Sequence, residues 1–158
     1  MRTLYFYQTD LGEIGIAENG SAIINLYFPA ENIPQDAVLQ ETELLKEAAA
    51  QLKEYFSGKR KNFSLRLAPA GTDFMLRVWE ALHQIPYGET RSYKNIAESI
   101  GRPKASRAVG MANNKNTLPI FIPCHRVIGA DGKLVGYRGG LEIKEHLWEL
   151  ERQHVIPI

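Results

Sequence analysis

The residue of this chain with the most obvious chemistry is Cys124, its only cysteine, in the segment Ile122-Pro123-Cys124-His125-Arg126. A lone thiol can form neither an internal disulfide nor a cysteine-rich zinc site, so a role for it would depend on its nucleophilicity. His125 follows directly and Arg126 adds a positive charge, and both favour a thiolate. The alternative is an inert cysteine packed as a small hydrophobic side chain.

A carboxylate that could orient His125 lies in the last predicted helix, over residues 141–152. Glu151 shares the apolar face of that helix, so it is expected to be partly buried, near the helix end where the dipole disfavours a negative charge. Such a carboxylate needs a partner, and histidine suits it; a solvated Glu at a frayed helix end is the alternative. Cys124, His125 and Glu151 could therefore supply a nucleophile, a base and an orienting group. Because adjacent side chains on an extended backbone point in opposite directions, a bridging water or a bend must connect Cys124 to His125.

The region around the cysteine is basic. Residues 91–138 hold nine Lys and Arg but only two Asp and Glu, whereas the whole chain has a net charge of +1. Such a stretch suits a phosphate-contacting surface, and its alternative is an ordinary solvated face. Within it, Asn116 can stabilise a tight turn ahead of the cysteine through its side-chain amide, or it is a surface loop residue.

Two short helices are predicted in this basic region. The first spans 93–100 with Ser92 as its N-cap, and the second spans 104–113 and carries Lys104 and Arg107. Joined by a tight turn that contains glycine, they predict a helix-turn-helix. Residues 126–128 and 133–135, on either side of Asp131-Gly132, then predict a β-hairpin that could serve as a wing.

The remaining patterns predict the scaffold. Alternating apolar residues indicate strands at 3–8, 13–17, 22–28 and 63–67, and a helical apolar stripe covers 43–56. We therefore expect an α+β protein. Residues 1–71 would form a small N-terminal α/β domain with a β-sheet and helix, and residues 72–158 a mainly helical, winged helix-turn-helix-like domain. No segment is apolar enough to span a membrane or act as a signal peptide, and the single cysteine favours a cytoplasmic location.

The segment Pro123-Cys124-His125-Arg126-Val127 resembles the active-site signature of the O6-alkylguanine-DNA alkyltransferases, also called methylated-DNA–protein-cysteine methyltransferases. The resemblance extends from about Phe74 to Glu151. Further matching segments occur in the family's order and spacing: Ser92-Tyr93, Arg102 to Gly110, Asn116 ahead of Leu118 to Ile122, and Gly139-Gly140-Leu141 with Lys144-Glu145.

The resemblance implies direct-reversal DNA repair. An alkyl group, usually methyl, would move irreversibly from O6 of guanine in duplex DNA to Cys124, with base flipping and one turnover per molecule. The family is thought to place its recognition helix in the minor groove. The expected partner is double-stranded DNA containing O6-alkylguanine, bound by a monomer without a cofactor, a metal or an obligate protein partner.

The resemblance also assigns roles to individual residues. Cys124 would accept the alkyl group, activated through a water by His125, with Glu151 holding the imidazole and Asn116 bracing the turn. Tyr93 would donate a hydrogen bond to the flipped guanine and press on the adjacent phosphate, and Arg107 would fill the gap in the base stack. The other residues implied to contact substrate or DNA are Tyr137 and the backbones of Val127 and Arg138, which would line the alkylguanine pocket, together with Ser92, Lys104 and Arg126.

Arg138 departs from the family pattern, since many members carry a small residue such as Ser there.

Three other functions are compatible with parts of the sequence. A non-catalytic protein that binds alkyl damage would explain the basic helices but not Cys124. A cysteine hydrolase usually draws nucleophile and base from separate regions, and a metal site would need ligand spacings that Cys124 and the four histidines do not have.

Overall fold

The chain divides into two compact units, residues 1–70 and 71–158, and the computed structural model describes residues 2–155. None of the helices among those residues is long and apolar enough to cross a membrane. The elements, in chain order, are β1 (Thr3–Thr9), β2 (Gly12–Glu18), β3 (Ile23–Tyr27), β4 (Val38–Leu39), α1 (Glu43–Phe56), α2 (Asp73–His83), β5 (Arg91–Ser92), α3 (Tyr93–Ser99), α4 (Ser106–Asn114), a 3₁₀ turn (Cys124–Arg126), β6 (Val127–Ile128) and α5 (Leu141–His154). The α+β class expected from the sequence is confirmed.

The first unit is a four-stranded sheet covered by one helix. Its strand order is β3-β2-β1-β4, with β1 antiparallel to β2, β2 antiparallel to β3, and β4 parallel to β1. The Asn19-Gly20 turn joins β2 to β3. It is stabilised by Asn19 Oδ1, which accepts hydrogen bonds from the backbone N–H groups of Ser21 and Ala22, both at 3.0 Å. Helix α1 begins after Thr42, whose hydroxyl accepts from the Leu45 N–H at 3.2 Å. Its buried side chains pack against β1, β2 and β3, where each large apolar residue contributes about 1.5–3 kcal/mol.

The predicted strand over 63–67 is wrong. Only one isolated bridge, between Ile23 and Leu67, joins this segment to the sheet. Gln51 on α1 explains the difference: its Oε1 accepts from the Ser64 N–H at 2.9 Å and its Nε2 donates to the Ser64 hydroxyl at 3.1 Å. The segment is therefore bonded to a helix side chain at the point where a strand would need a backbone partner.

The second unit is mainly helical. Thr72 caps α2 by accepting from the Met75 N–H at 3.2 Å, and Val78, Trp79 and Leu82 form the buried face of that helix. Trp79 Nε1 donates to the carbonyl of Ala112 at 2.9 Å, which ties α2 to α4 inside the core.

The two helices of the predicted helix-turn-helix are present as α3 and α4. Ser92 forms a capping box with Asn95 at the start of α3, and Gly101, at φ +77°, follows its end. Helix α4 starts at Ser106 rather than at Lys104. The Ala105 N–H donates to the Arg102 carbonyl at 3.0 Å, so Lys104 lies in a separate turn before the helix.

The predicted wing is wrong as a hairpin of two strands. Strand β6 pairs in parallel with β5, and residues 133–135 form no strand. The Asp131-Gly132 turn itself is present, closed by the Gly129 N–H donating to the Lys133 carbonyl at 2.9 Å. Helix α5 follows and buries Lys144, Leu147 and Glu151 on one face.

Candidate active site and nucleic-acid interface

Cys124 begins a single 3₁₀ turn rather than an extended strand. Its N–H donates to the Ile122 carbonyl at 2.7 Å, and its own carbonyl accepts from the Val127 N–H. The backbone is therefore bent between Cys124 and His125 rather than extended, and a bridging water between their side chains stays a prediction. The cysteine is 3% exposed, so the sulfur lies within the protein rather than on its surface.

Asn116 holds the segment that leads to the cysteine. Its Nδ2 donates to the Ile122 carbonyl at 2.8 Å, and its Oδ1 accepts from the Leu118 N–H at 2.9 Å. The side chain is buried, and it also lies within hydrogen-bond reach of the Cys124 sulfur. These contacts place Asn116 in the interior rather than in a surface loop, and its role in bracing the cysteine turn stays a prediction.

His125 and Glu151 form a buried pair. The Nε2 atom of His125, which is fully buried, lies 2.6 Å from Glu151 Oε2. Burial alone would raise the pKa of the Glu151 carboxyl, but His125 and Arg126 outweigh it and hold that pKa well below its usual range. An ionised carboxylate only accepts hydrogen bonds, so Nε2 carries the proton and Nδ1 is the basic nitrogen.

Burial also lowers the pKa of His125, against the opposing effect of Glu151. The imidazole is therefore neutral near pH 7 and able to accept a proton.

Arg126 is bound inside the domain rather than presented to DNA. Its Nε and Nη2 donate to the two carboxylate oxygens of Glu151 at 2.8 and 3.0 Å, and its Nη1 donates to the Ile85 carbonyl at 2.6 Å. The guanidinium also lies 5.6 Å from the centre of the Tyr87 ring. Arg126 was expected to contact DNA and to favour the Cys124 thiolate through its charge. In the structure its guanidinium instead binds the Glu151 carboxylate and holds it in place.

The electrostatics of the thiol differ from the sequence interpretation. Burial raises the pKa of Cys124, while the Asn116 amide, the charges of Arg138 and Lys144, and the Tyr137 side chain lower it. Desolvation is the largest effect, so the resting cysteine is a thiol rather than a thiolate. A base must therefore take its proton during the reaction.

Lys144 is a site residue to which sequence reasoning gave no role. Its side chain is buried on α5, and its Nζ donates to the carbonyls of Val135 and Gly136 at 2.8 and 3.0 Å. Burial lowers its pKa to about 8, although the Cys124 charge opposes this. The spacing of Lys144, Leu147 and Glu151 along one helix face was a signal that could have found it.

The residues predicted to contact substrate or DNA fall into three groups. Arg107, in the first turn of α4, and Lys104, just before it, are exposed. Tyr137 is buried beside the sulfur, and the half-buried Tyr93 donates its hydroxyl proton to the Val135 carbonyl at 2.7 Å. The others have structural contacts of their own: Ser92 caps α3, Val127 is buried in β6, and Arg138 donates to the Asn116 carbonyl at 2.6 Å.

Comparison with known proteins identifies the family. Residues 73–153 match the family described as 6-O-methylguanine DNA methyltransferase, DNA binding domain, and residues 3–69 match the ribonuclease-like domain of the same enzymes. The chain belongs to the 6-O-methylguanine DNA methyltransferase family.

Curated members of this methyltransferase family are similar along nearly their whole length. The methylated-DNA–protein-cysteine methyltransferase of Methanosarcina barkeri is 52% identical over 152 residues, which cover 94% of this chain and 96% of the relative. The constitutive enzyme of Bacillus subtilis is 51% identical over 152 residues, 92% of each chain. The resemblance stated from the cysteine signature is confirmed.

A solved structure in the methyltransferase family is also similar. The crystal structure of Mycobacterium tuberculosis OGT in complex with DNA superposes with a TM-score of 0.92 at 43% identity, over 96% of this chain and 94% of that one. In the present chain, among residues 2–155, no three His, Cys, Asp or Glu side chains are grouped as a metal ion would require.

Gly88 is a position in this site where only glycine fits. Its N–H donates to Glu151 Oε1 at 3.0 Å, its φ is +78°, and an added Cβ would collide with the side chain of Val155. Gly88→Ala should therefore destabilise the protein by about 1–3 kcal/mol, measured as a lower midpoint in urea. Gly101→Ala, also at positive φ but with open space around its Cβ, is the matched control for backbone strain alone. An equal loss in both variants would contradict the steric argument.

Proposed function

We propose that this protein repairs alkylated DNA by moving an alkyl group, typically methyl, from O6 of guanine in duplex DNA to the sulfur of Cys124. The observation that carries the proposal is the buried pair of Glu151 and His125, the residue that directly follows the only cysteine, in a chain of the methyltransferase family. A base held by a carboxylate next to a buried thiol is an arrangement for activating a nucleophile.

The first step is removal of the thiol proton. His125 Nδ1 is the accepting atom, because Nε2 is bonded to the ionised Glu151. We propose that a bridging water carries the proton from Cys124, as expected for neighbouring side chains that do not meet directly. The charge of Glu151 stabilises the imidazolium that forms, and Arg126 keeps that carboxylate in place.

The second step is displacement at the alkyl carbon. A sulfur–carbon bond forms as the bond between that carbon and guanine O6 breaks, and the electron pair of the broken bond remains on the base. A hydrogen bond from Tyr93, once its hydroxyl leaves the Val135 carbonyl, stabilises the departing guanine. The guanine takes up one proton and becomes ordinary guanine, which balances the proton that His125 accepted from Cys124. The product is a thioether, and the chain has no second thiol to remove the alkyl group. Each molecule therefore acts once.

The target base must leave the duplex before the buried sulfur can reach it. We propose that α4 is inserted into the minor groove, with Arg107 filling the gap in the base stack, and that Tyr137 and the backbones of Val127 and Arg138 line the pocket. Lys104 would contact phosphate nearby. Because such contacts read charge and shape, binding should depend little on sequence and strongly on salt.

Intact-protein mass spectrometry tests the proposal. The protein is incubated with a duplex that contains one O6-methylguanine. The expected result is a gain of one methyl group per chain, mapped to the peptide that holds Cys124 and saturating at that value. An unchanged mass with DNA binding retained would instead identify a non-catalytic protein that binds alkyl damage.

Arg107→Ala should slow repair of duplex DNA by about tenfold, because an extruded base costs a few kcal/mol and the variant loses the side chain that fills its place. Reaction with free O6-methylguanine base should remain unchanged, since no base needs extrusion. Arg77→Ala, which removes an exposed arginine from α2, controls for the lost charge. Equal slowing on duplex and free base would rule out this role for Arg107.

We further propose that the protein acts in the cytoplasm as a monomer without an obligate protein partner. A one-to-one complex with a short methylated duplex, measured by light scattering during size-exclusion chromatography, is the expected result. A stable dimer in the absence of DNA would contradict it.

A further inference from the structure

Arg138 joins two segments that both approach the cysteine. Its Nη1 donates to the backbone carbonyl of Asn116 at 2.6 Å, across 22 residues of chain. The Asn116 side chain is bonded to Ile122 and Leu118 and reaches the Cys124 sulfur. The guanidinium is therefore attached to the residue that holds the cysteine turn.

The other end of this connection is a segment with little regular structure of its own. Residues 133–140 form no helix or strand, and both Gly136 and Gly140 have positive φ. Tyr137 within it is buried, and its side chain is one of the groups that lower the pKa of the Cys124 thiol. Because glycine-rich backbone is entropically costly to order, a side-chain hydrogen bond at position 138 restricts how this segment is placed relative to Cys124.

Arg138 also brings a permanent positive charge to the site. Arg138 and Lys144, which lies on α5, are the two positively charged groups that lower the pKa of the Cys124 thiol, against the larger effect of its burial. The other titratable groups around the sulfur are His125 in the same turn, Tyr93 on α3 and Tyr137. Lys144 loses its proton near pH 8, whereas a guanidinium stays charged at any pH at which the protein is folded.

We propose that Arg138 is a positioning residue for alkyl transfer: bonded to the Asn116 carbonyl, it fixes the 137–140 segment against the cysteine turn and keeps a pH-independent positive charge beside the sulfur. This rests on the proposed function of Cys124 as alkyl acceptor. It differs from the expectation that only the backbone of Arg138 takes part.

The test separates charge from shape with three variants. Arg138→Gln removes the charge of this half-buried residue but keeps a donor, Arg138→Lys keeps the charge, and Arg77→Gln removes the charge of an exposed arginine on α2. The first readout is the rate of Cys124 alkylation by iodoacetamide between pH 6 and pH 10, which needs neither DNA nor methyl transfer. The second is the rate of methyl transfer from a duplex with one O6-methylguanine. Thermal unfolding establishes that each variant is folded, and Arg138→Ser replaces Arg138→Gln if the latter does not fold.

In Arg138→Gln the pH at half-maximal iodoacetamide reactivity should rise by about half to one unit, and methyl transfer at pH 7 should slow by about threefold to tenfold. Arg138→Lys should restore the pH midpoint, and Arg77→Gln should match the native protein in both assays. A native midpoint in Arg138→Gln, or a raised one in Arg138→Lys, would overturn the proposal. If the native protein transfers no methyl group, the proposed function fails, but the iodoacetamide profiles still decide where the charge of Arg138 acts.

Discussion

Cys124→Ala should abolish alkyl transfer and leave DNA affinity within about twofold of the native value. Alanine has no nucleophilic atom, and no other cysteine in the chain can replace it. The lost side chain is small and buried, so its removal should cost about 1 kcal/mol of stability. The proposed DNA contacts come from exposed residues such as Arg107, which the substitution does not touch. Mass spectrometry with a methylated duplex gives the first result, and fluorescence anisotropy at one fixed salt concentration gives the second.

Cys124→Ser is the informative companion variant. A hydroxyl has almost the size of the thiol, but it is a far weaker nucleophile at neutral pH. It should therefore behave like Cys124→Ala in transfer while preserving the packing around Asn116. Methyl transfer to another residue in either variant, or a loss of DNA affinity greater than tenfold in both, would contradict the assignment of nucleophile and DNA contacts to separate surfaces.

The helices were predictable because their signals are local. Helix α1 spans 43–56 as its apolar stripe indicates, and Ser92 caps α3 as its position predicts. An N-cap and an apolar periodicity act within one or two turns of the chain, so the sequence nearby contains the necessary information.

The strands and turns that failed depend on distant partners. Residues 63–67 alternate like a strand, but Gln51 takes the Ser64 N–H. Residues 127–128 pair with Arg91 and Ser92 rather than with 133–135. The partner of a strand is a property of the tertiary fold, and a single sequence does not determine it.

The site was predictable to the extent that it follows helix faces. Glu151 was expected on a buried helix face with a histidine as its partner, and its Oε2 lies 2.6 Å from His125 Nε2. Arg126 was misjudged because adjacency in sequence suggested that its charge serves Cys124, whereas the 3₁₀ turn directs its guanidinium to Glu151. The effects of Arg138 and Lys144 on the pKa of Cys124 could not be predicted from the sequence. Both residues lie well after the cysteine in the chain, and only the folding of residues 133–144 brings their charges towards the sulfur.

Glu151→Gln should reduce both the stability of the protein and its rate of alkyl transfer. The amide keeps the shape of the side chain but leaves Arg126 buried without a compensating negative charge, which should cost about 3 kcal/mol. It also removes the charge that stabilises protonated His125, so the relay from Cys124 to His125 is weakened and transfer should slow by about a hundredfold. The reaction would then depend on direct ionisation of the Cys124 thiol, whose pKa burial raises, so the pH–rate profile should move to higher pH. Urea unfolding and single-turnover kinetics measure the two effects.

The pH dependence of stability gives an independent check on the same residue. The folded pKa of Glu151 lies well below its unfolded value of about 4.3. Its contribution to stability is therefore fully present above that unfolded value and is lost as the pH falls towards the folded one. The native protein should lose this part of its stability below about pH 4, whereas Glu151→Gln, which has already lost it, should show a flatter profile over the same range.

Glu149→Gln is the matched control for both experiments, because it removes the same charge from an exposed position on the same helix. It should keep native transfer rates and the native acid profile. If Glu151→Gln shows a native pH–rate profile while unfolding more easily, the carboxylate only holds Arg126 and His125 in place, and the proton relay is rejected. If its stability is native but its profile shifts, the Arg126 ion pair contributes little to folding, and Glu151 acts through the imidazole alone.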